Sequence, residues 1–162
     1  MAITRTKKEE ILTKLDEVKK NSETVVFVHF ERLPVTEGTE MRRSLREDGV
    51  GYYVAKKNLL KRAFGTGYEG EWPTLDGEIA IAYSADPMAP AQSIQAFAKQ
   101  HKDQVSIVGG IFQGVFKNQH EMVEIASIPG IDTLRGMFVN VINSPIQGLA
   151  VALAQIAEQK EA

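Results

Sequence analysis

The sequence predicts an α/β fold in which helices cover a sheet, followed by a helical arm. Short β-branched or aromatic runs alternate with amphipathic helical patterns over residues 1–130, and the pattern is purely helical from 131 onward. A length of 162 residues, 43% of them hydrophobic, is enough for one domain with its own core. The chain contains no cysteine, which excludes a disulfide framework, a thiolate zinc site and a thiol nucleophile.

The first half of the chain is predicted to contain three helices and two strands. Thr6 and Glu9 form a capping box that opens the first helix, and Gly49 stands where a left-handed C-cap belongs. In order, we expect a helix from Thr6 to about Lys20, a strand at 25–28, a helix opened by Pro34 and Thr36, a strand at 52–55, and a helix at 59–64.

The second half is predicted to add the remaining strands and two helices, followed by a helical segment outside the sheet. We expect strands at 79–83 and 105–108, the latter ending at Gly109-Gly110, a short fifth strand at 115–116, and helices at 89–101 and 119–128. Ser144, Pro145 and Gln147 are three start signals in succession and predict that a new helix begins there after a bend. Beyond them an apolar stripe recurs at helical spacing: Ile146, Leu149, Leu153 and Ile156.

The catalytic, cofactor and membrane signals in this sequence are weak. The run 65–70 satisfies G-x-G-x-x-G, but a predicted helix precedes it where dinucleotide binding requires a strand, so we interpret it as a loop. The three histidines lack metal-ligand spacing, and nucleophile-elbow and phosphate-loop motifs are absent. The longest uninterrupted apolar run is far shorter than the roughly 20 residues of a membrane span. We therefore expect a cytoplasmic protein that is not an enzyme and has no cofactor, no metal and no membrane partner.

Charge is distributed unevenly along the chain. Residues 1–66 hold 14 Lys/Arg and 10 Asp/Glu, whereas residues 67–162 hold 5 and 11, so net charges of +4 and −6 sum to the overall −2. The basic excess is concentrated in 42–62, around Arg42, Arg46 and the predicted strand-to-helix junction at Lys56. Such a junction attracts phosphate through backbone N–H groups and lysines, so this cluster is a candidate RNA-binding surface; a solvated helical face is the alternative. The terminal apolar stripe likewise leaves two readings open, a core helix and a partner-binding helix.

Five segments, in order, resemble one family closely, the bacterial large-subunit ribosomal protein L-ten, which forms the base of the ribosomal stalk. They are 33–49, a leucine- and arginine-bearing helix that ends in glycine; 53–63, YVAKKNLLKRA; 77–83 followed by Asp86-Pro87; Gly109-Gly110 with Gly114; and 125–129. The similarity covers nearly the whole chain in one register.

The resemblance implies a two-part molecule. It implies a ferredoxin-like mixed sheet of four to five strands at 1–130 that binds rRNA at the GTPase-associated centre beside ribosomal protein L-eleven. It also implies an arm at 131–162 that carries dimers of stalk protein L-seven/L-twelve, which recruit translational GTPases. The rRNA-binding candidates are Arg5, Lys7, Lys8, Arg32, Arg42, Arg46, Lys56, Lys57, Asn58, Lys61 and Arg62, and the stalk-dimer candidates are Ile146, Leu149, Leu153 and Ile156.

Two further points follow from the resemblance. Family members often bind their own messenger RNA, so that transcript is a further candidate partner. The rival hypothesis is a free RNA-binding assembly factor that has the domain but carries no stalk. The terminal stripe distinguishes the two, because a free factor has no need of an exposed leucine and isoleucine stripe.

Overall fold

The computed structural model describes residues 5–65, 67–101 and 104–161, in which strands and helices alternate as the sequence predicts. Within these residues the elements are α1 (Arg5–Asn21), β1 (Thr24–Phe30), α2 (Val35–Glu47), β2 (Gly51–Val54), α3 (Lys57–Phe64), β3 (Glu78–Ser84), α4 (Ala89–Gln100), β4 (Val105–Phe112), β5 (Val115–Asn118), α5 (Gln119–Ser127) and α6 (Ile131–Glu161). By internal packing the chain divides into two units, with the boundary between Ile128 and Pro129.

The five strands form one sheet in the order β2-β3-β1-β4-β5. The α/β class is confirmed, and the first four strands have the ferredoxin-like order. The prediction of a mixed sheet is corrected in one respect, because every ladder is antiparallel. The reason lies in the crossovers: α2 joins the parallel strands β1 and β2 across β3, and α4 joins β3 and β4 across β1, so parallel strands are never neighbours.

Each face of the sheet has its own apolar core. On one face Val26 and Val28 pack with Met41 and Leu45 of α2 and with residues of α4 and α5. On the other face Val25 and Phe27 pack with α1, α3 and Trp72. This division follows from the alternation of side chains along β1, whose residues from Val25 to Val28 are all buried. Helices α2 and α3 therefore lie on opposite faces.

Strand β4 continues through Gly109-Gly110, where the sequence predicted its end. A bulge between Phe27 and Val28 shifts the register of β1 and β4 at this point. A Cβ atom on Gly110 would lie 2.7 Å from the Val25 carbonyl oxygen and 3.0 Å from the Met122 Cε. The glycines thus permit close packing in a continuing strand instead of terminating it.

We expect Gly110→Ala to lower the free energy of unfolding by about 1–3 kcal/mol, because the added methyl group meets backbone and a packed methionine. Gly38→Ala in α2 is the matched control, since its Cβ would meet only Leu33 at 3.5 Å and alanine favours a helix by about 1 kcal/mol. Urea unfolding followed by fluorescence of Trp72, the chain's one tryptophan, measures both. Equal stabilities for the two variants would contradict the packing described at Gly110.

The glycine-rich run forms a loop, as predicted. Helix α3 ends at Phe64, and Gly67 and Gly70 adopt φ values of 96° and 105°. Trp72 then returns to the core, with its ring 5.3 Å from that of Phe27. Thr66 lies outside the described residues. Because a helix, not a strand, precedes the glycines, the arrangement lacks the geometry of a dinucleotide site.

Helix α6 is continuous from Ile131 to Glu161, with Pro145 inside it. The prediction that a new helix begins at Ser144-Pro145 after a bend was therefore wrong. At 1.5 Å per residue, α6 is about 46 Å long. The stretch Asp132–Leu153 also has the length and composition of a membrane-crossing helix, with mean hydropathy 1.3. This corrects the sequence-based view, which considered only uninterrupted apolar runs.

Candidate nucleic-acid interface and apolar helix

The start of α3 places basic groups at the end of β2. Lys56 is the N-cap residue, with extended backbone at φ −64° and ψ 135°, and the helix begins at Lys57, two residues before the predicted start at Leu59. Leu60, Ala63 and Phe64 are buried and attach α3 to the sheet. Leu59 is half-buried against the same core, and the exposed positions are the predicted RNA-binding residues Lys56, Lys57, Asn58, Lys61 and Arg62.

One of these lysines has a structural partner. The Lys57 Nζ donates a hydrogen bond to the Leu75 carbonyl oxygen at 3.2 Å, which ties α3 to the loop before β3. For Lys56 and Lys61, the described residues contain no hydrogen bond or ion pair to the ammonium group. These two lysines are therefore free cations, whereas Lys57 is partly engaged.

Helix α1 lies beside α3 on the same face of the sheet. Leu15 is buried in the cluster that holds Leu60 and Phe64, and the Lys19 Nζ donates to the Ala63 carbonyl oxygen at 3.3 Å. Lys7 and Lys8 are exposed near the start of α1. The side chain of Arg5 lies outside the described residues. We call the exposed residues Lys7, Lys8, Lys56, Asn58, Lys61 and Arg62 of these two neighbouring helices the α1–α3 surface.

The arginines of α2 lie on the opposite face, so the single basic cluster of the sequence is divided by the sheet. Arg42 stacks over Tyr52 of the edge strand β2, with its guanidinium carbon 5.7 Å from the ring centroid. Burial raises the pKa of the Tyr52 hydroxyl, and the nearby Arg42 charge partly opposes that shift. Arg46 is exposed and faces a shallow groove of about 570 Å³ lined by Thr39, Arg42, Arg43, Arg46 and Glu47.

Arg32 belongs neither to the α1–α3 surface nor to the arginines of α2. It lies between β1 and α2 with a positive φ of 50°, which is uncommon for a residue other than glycine. Its side chain is 90% exposed and lies 3.7 Å from the Glu31 carboxylate. This neighbouring charge reduces its attraction for phosphate relative to the free lysines of α3.

A cleft of about 540 Å³ opens at the end of the sheet, next to α3. Sequence reasoning identified its basic rim but missed its walls, because these come from four separate elements. Its lining residues are Ile11, Phe30, Val54, Ala55, Lys56, Lys57, Asn58, Gly77, Glu78 and Ile79. The sequence signal that could have indicated the cleft is the apolar residue Val54 at the end of a strand. In the structure this strand is at the edge of the sheet, and Val54 is 46% exposed.

Helix α6 presents apolar side chains to solvent over most of its length. The predicted stripe is exposed throughout: Ile146 68%, Leu149 63%, Leu153 59% and Ile156 51%. A second stripe precedes it in the same helix, formed by Leu134, Phe138, Val141 and Ile142. Exposed apolar surface of this extent indicates a binding site for a protein or a membrane.

Comparison with known proteins gives the family. The family model for ribosomal protein L10 matches residues 3–99, and that for the C-terminal region of ribosomal protein uL10 matches residues 128–162. The large ribosomal subunit protein uL10 of Clostridium acetobutylicum is 38% identical over 157 residues, covering 96% of this chain and 93% of the relative. The chain belongs to the ribosomal protein L10 family. The uL10 proteins of Staphylococcus epidermidis and Erythrobacter litoralis are 37% and 39% identical, covering 99% and 90% of this chain and 96% and 85% of those relatives.

Membership makes this chain a protein of the large ribosomal subunit, part of the ribonucleoprotein that carries out translation. Its relatives are named as ribosomal proteins and not as enzymes. Within the described part of the chain, no group of three or more His, Asp or Glu side chains could hold a metal ion. The two features that need a functional explanation are therefore the basic surfaces and the exposed stripes of α6.

Proposed function

We propose that this L10-family protein forms the base of the ribosomal stalk in the cytoplasm, with an rRNA-binding domain at 1–130 and a stalk-binding arm at 131–162. The observation that carries the proposal is α6, a helix of 31 residues whose apolar stripes are exposed. A ribosomal protein needs its basic residues for rRNA, but an exposed apolar helix serves no purpose in phosphate binding. It suits a partner that binds a helix in an apolar groove.

The rRNA contact is proposed for the α1–α3 surface, supported by the arginines of α2. Lys56 and Lys61 supply free charges, and the first turn of α3 leaves backbone N–H groups without intrahelical acceptors. Arg42 reaches the same edge strand from the other face, since it stacks on Tyr52, and the exposed Arg46 lies one turn further along α2. An RNA that follows the β2 edge would then be held from both sides, through shape and phosphate rather than base pairs.

The α6 partner is proposed to be dimers of stalk protein L-seven/L-twelve, which in turn recruit translational GTPases. The two stripes, centred near residues 138 and 151, are about 19 Å apart along one helix axis at 1.5 Å per residue. This favours two dimers bound in succession over one. Ribosomal protein L-eleven is the proposed neighbour on the rRNA, and the chain's own messenger RNA is a further proposed ligand for the same basic surface.

Co-sedimentation separates this proposal from a free assembly factor. A tagged full-length chain expressed in a bacterial host should sediment with large subunits and also purify with a small acidic dimeric protein at a fixed ratio. An assembly factor would appear with subunit precursors and without the acidic dimer. Recovery in the membrane fraction would instead indicate that the apolar segment of α6 meets lipid. Either of these results would contradict the stalk-base proposal.

A further inference from the structure

The cleft next to α3 exists because two neighbouring strands end at different levels. The last pair of β2 and β3 is Val54 with Ala80, but β3 begins earlier, at Glu78. Ile79 and Glu78 pair with β1 on one side and have no strand on the other. The chain leaves the sheet after Val54 and enters α3 at Lys57, which leaves a gap that Ile11 of α1 also lines.

The walls of this cleft are mainly apolar, and its polar lining residues are Lys56, Lys57, Asn58 and Glu78. Phe30, Val54 and Ile79 contribute apolar surface, together with Ile11 and Ala55. The volume of about 540 Å³ lies within the range of roughly 300–1,000 Å³ typical of pockets for small organic groups. Val54 is 46% exposed, so this wall offers apolar surface to a ligand. Such a surface suits the face of an aromatic ring better than a hydrated ion.

The polar groups of the cleft suit a base with a phosphate beside it, because Lys57 is bonded to the Leu75 carbonyl oxygen and Glu78 adds a negative charge to the lining. The Glu78 carboxylate repels an anion but accepts a hydrogen bond from an exocyclic amino group. The Asn58 amide both donates and accepts, as base edges require. The open edge of β3 adds backbone groups, and Lys56 at the rim carries the positive charge that a flanking phosphate needs.

We propose that this cleft receives one unpaired base of the bound RNA, an adenine, cytosine or guanine, while Lys56 contacts the phosphate beside it. The proposal rests on the proposed rRNA binding and specifies how that site selects its RNA. Single-stranded bases that are turned out of a helix and stacked against protein are the usual means of sequence-specific RNA recognition. Lysines alone would supply affinity without this selectivity.

The test fills the cleft without changing charge. Full-length Val54→Trp is compared with Val35→Trp, the matched control at the start of α2, where the side chain is 86% exposed and does not line the cleft. With a stalk-base fragment of large-subunit rRNA as the probe, Val54→Trp should weaken binding about tenfold or more, because the contribution of one stacked base is lost. The slope of log K against log salt should stay unchanged, since no phosphate contact is removed.

Single abasic substitutions in the rRNA identify the base. In the unmodified protein, one unpaired position should reproduce the loss, and in Val54→Trp the same position should no longer matter. Asn58→Ala is tested against the same abasic positions in a second double-mutant cycle. It introduces no bulky side chain, so its result does not depend on whether the fold tolerates Trp at position 54. Three results would overturn the base pocket. They are equal affinities for Val54→Trp and Val35→Trp, a changed salt slope, and the lack of any RNA position whose abasic substitution loses its effect in Val54→Trp. Absence of rRNA binding by the unmodified protein would instead overturn the proposed function itself.

Discussion

A chain carrying Leu149→Asp and Leu153→Asp is expected to lose the stalk dimer bound at the stripe of Ile146, Leu149, Leu153 and Ile156 while its rRNA affinity stays the same. Both leucines are about 60% exposed on α6, so their replacement removes no core contact of the first unit. In the complex, two carboxylates would enter a dry apolar interface. At hot-spot positions such changes cost about 4 kcal/mol or more, which corresponds to roughly a thousandfold loss of affinity. Native mass spectrometry of the complex counts bound dimers before and after the change.

The matched control adds the same two charges elsewhere on the same helix. Gln147→Asp and Gln155→Asp lie away from the stripe by the 3.6-residue periodicity of α6, and both positions are exposed. This variant should keep its full complement of dimers. If both variants lose dimers alike, added charge is responsible, and the stripe has no specific role. Loss of rRNA binding in the leucine variant would show that α6 supports the first unit, and would remove the main physical support for a stalk-base protein.

The same variant also tests the number of dimers. If each stripe binds one dimer, the leucine variant should keep one dimer on the stripe that includes Phe138 and lose the other. The continuity of α6 through Pro145 places both stripes on one rod. Complete loss of dimers from the leucine variant would contradict two independent sites and favour one dimer that spans the helix.

The second large effect is expected from Lys56→Ala with Lys61→Ala. If the protein neutralises about four to six phosphates, log K should fall against log salt with a slope of roughly −3 to −5. Removing these two lysines should flatten that slope by about 1.5 units, since each phosphate contact contributes about 0.7–0.9. Lys57 is left in place, because its bond to the Leu75 carbonyl makes its loss a change in folding as well as in charge.

Lys20→Ala with Lys99→Ala is the control of equal charge. Both lysines are exposed, one near the end of α1 and one in the last turn of α4, and neither belongs to the α1–α3 surface. Their removal should leave the slope unchanged. An unchanged slope for the Lys56 and Lys61 variant would move the phosphate contacts to other residues, with Lys7 and Lys8 of α1 the next to replace.

Local signals predicted the secondary structure well because each depends on neighbours in the sequence. The left-handed Gly49 ends α2 with φ 70°, as the C-cap prediction requires. Lys56 marks the boundary between β2 and α3, and Gln119 starts α5 after the capping residue Asn118. These turns and caps are satisfied by hydrogen bonds within a few residues, so no distant partner is needed to establish them.

The two incorrect local predictions both came from residues that usually end a strand or a helix. Gly109-Gly110 and Pro145 are breakers by propensity, yet β4 and α6 continue through them. In β4 the glycines make room for the Val25 carbonyl and for Met122, which are distant in sequence. In α6 the proline removes one hydrogen bond, a local cost that the cooperative turns on either side outweigh.

The composition and order of residues were sufficient for the α/β class, the basic first half and the apolar stripe of the terminal helix, since these depend on periodicity and charge alone. Pairing across the sheet decided the rest. It set α2 and α3 on opposite faces, so that Arg42 stacks on Tyr52 of β2 from one face while Lys56, which follows β2, begins the helix on the other. It also ended β2 short of β3 and so formed the cleft beside Asn58. Both outcomes depend on which strands become neighbours, and that choice is made by burial of side chains far apart in the chain.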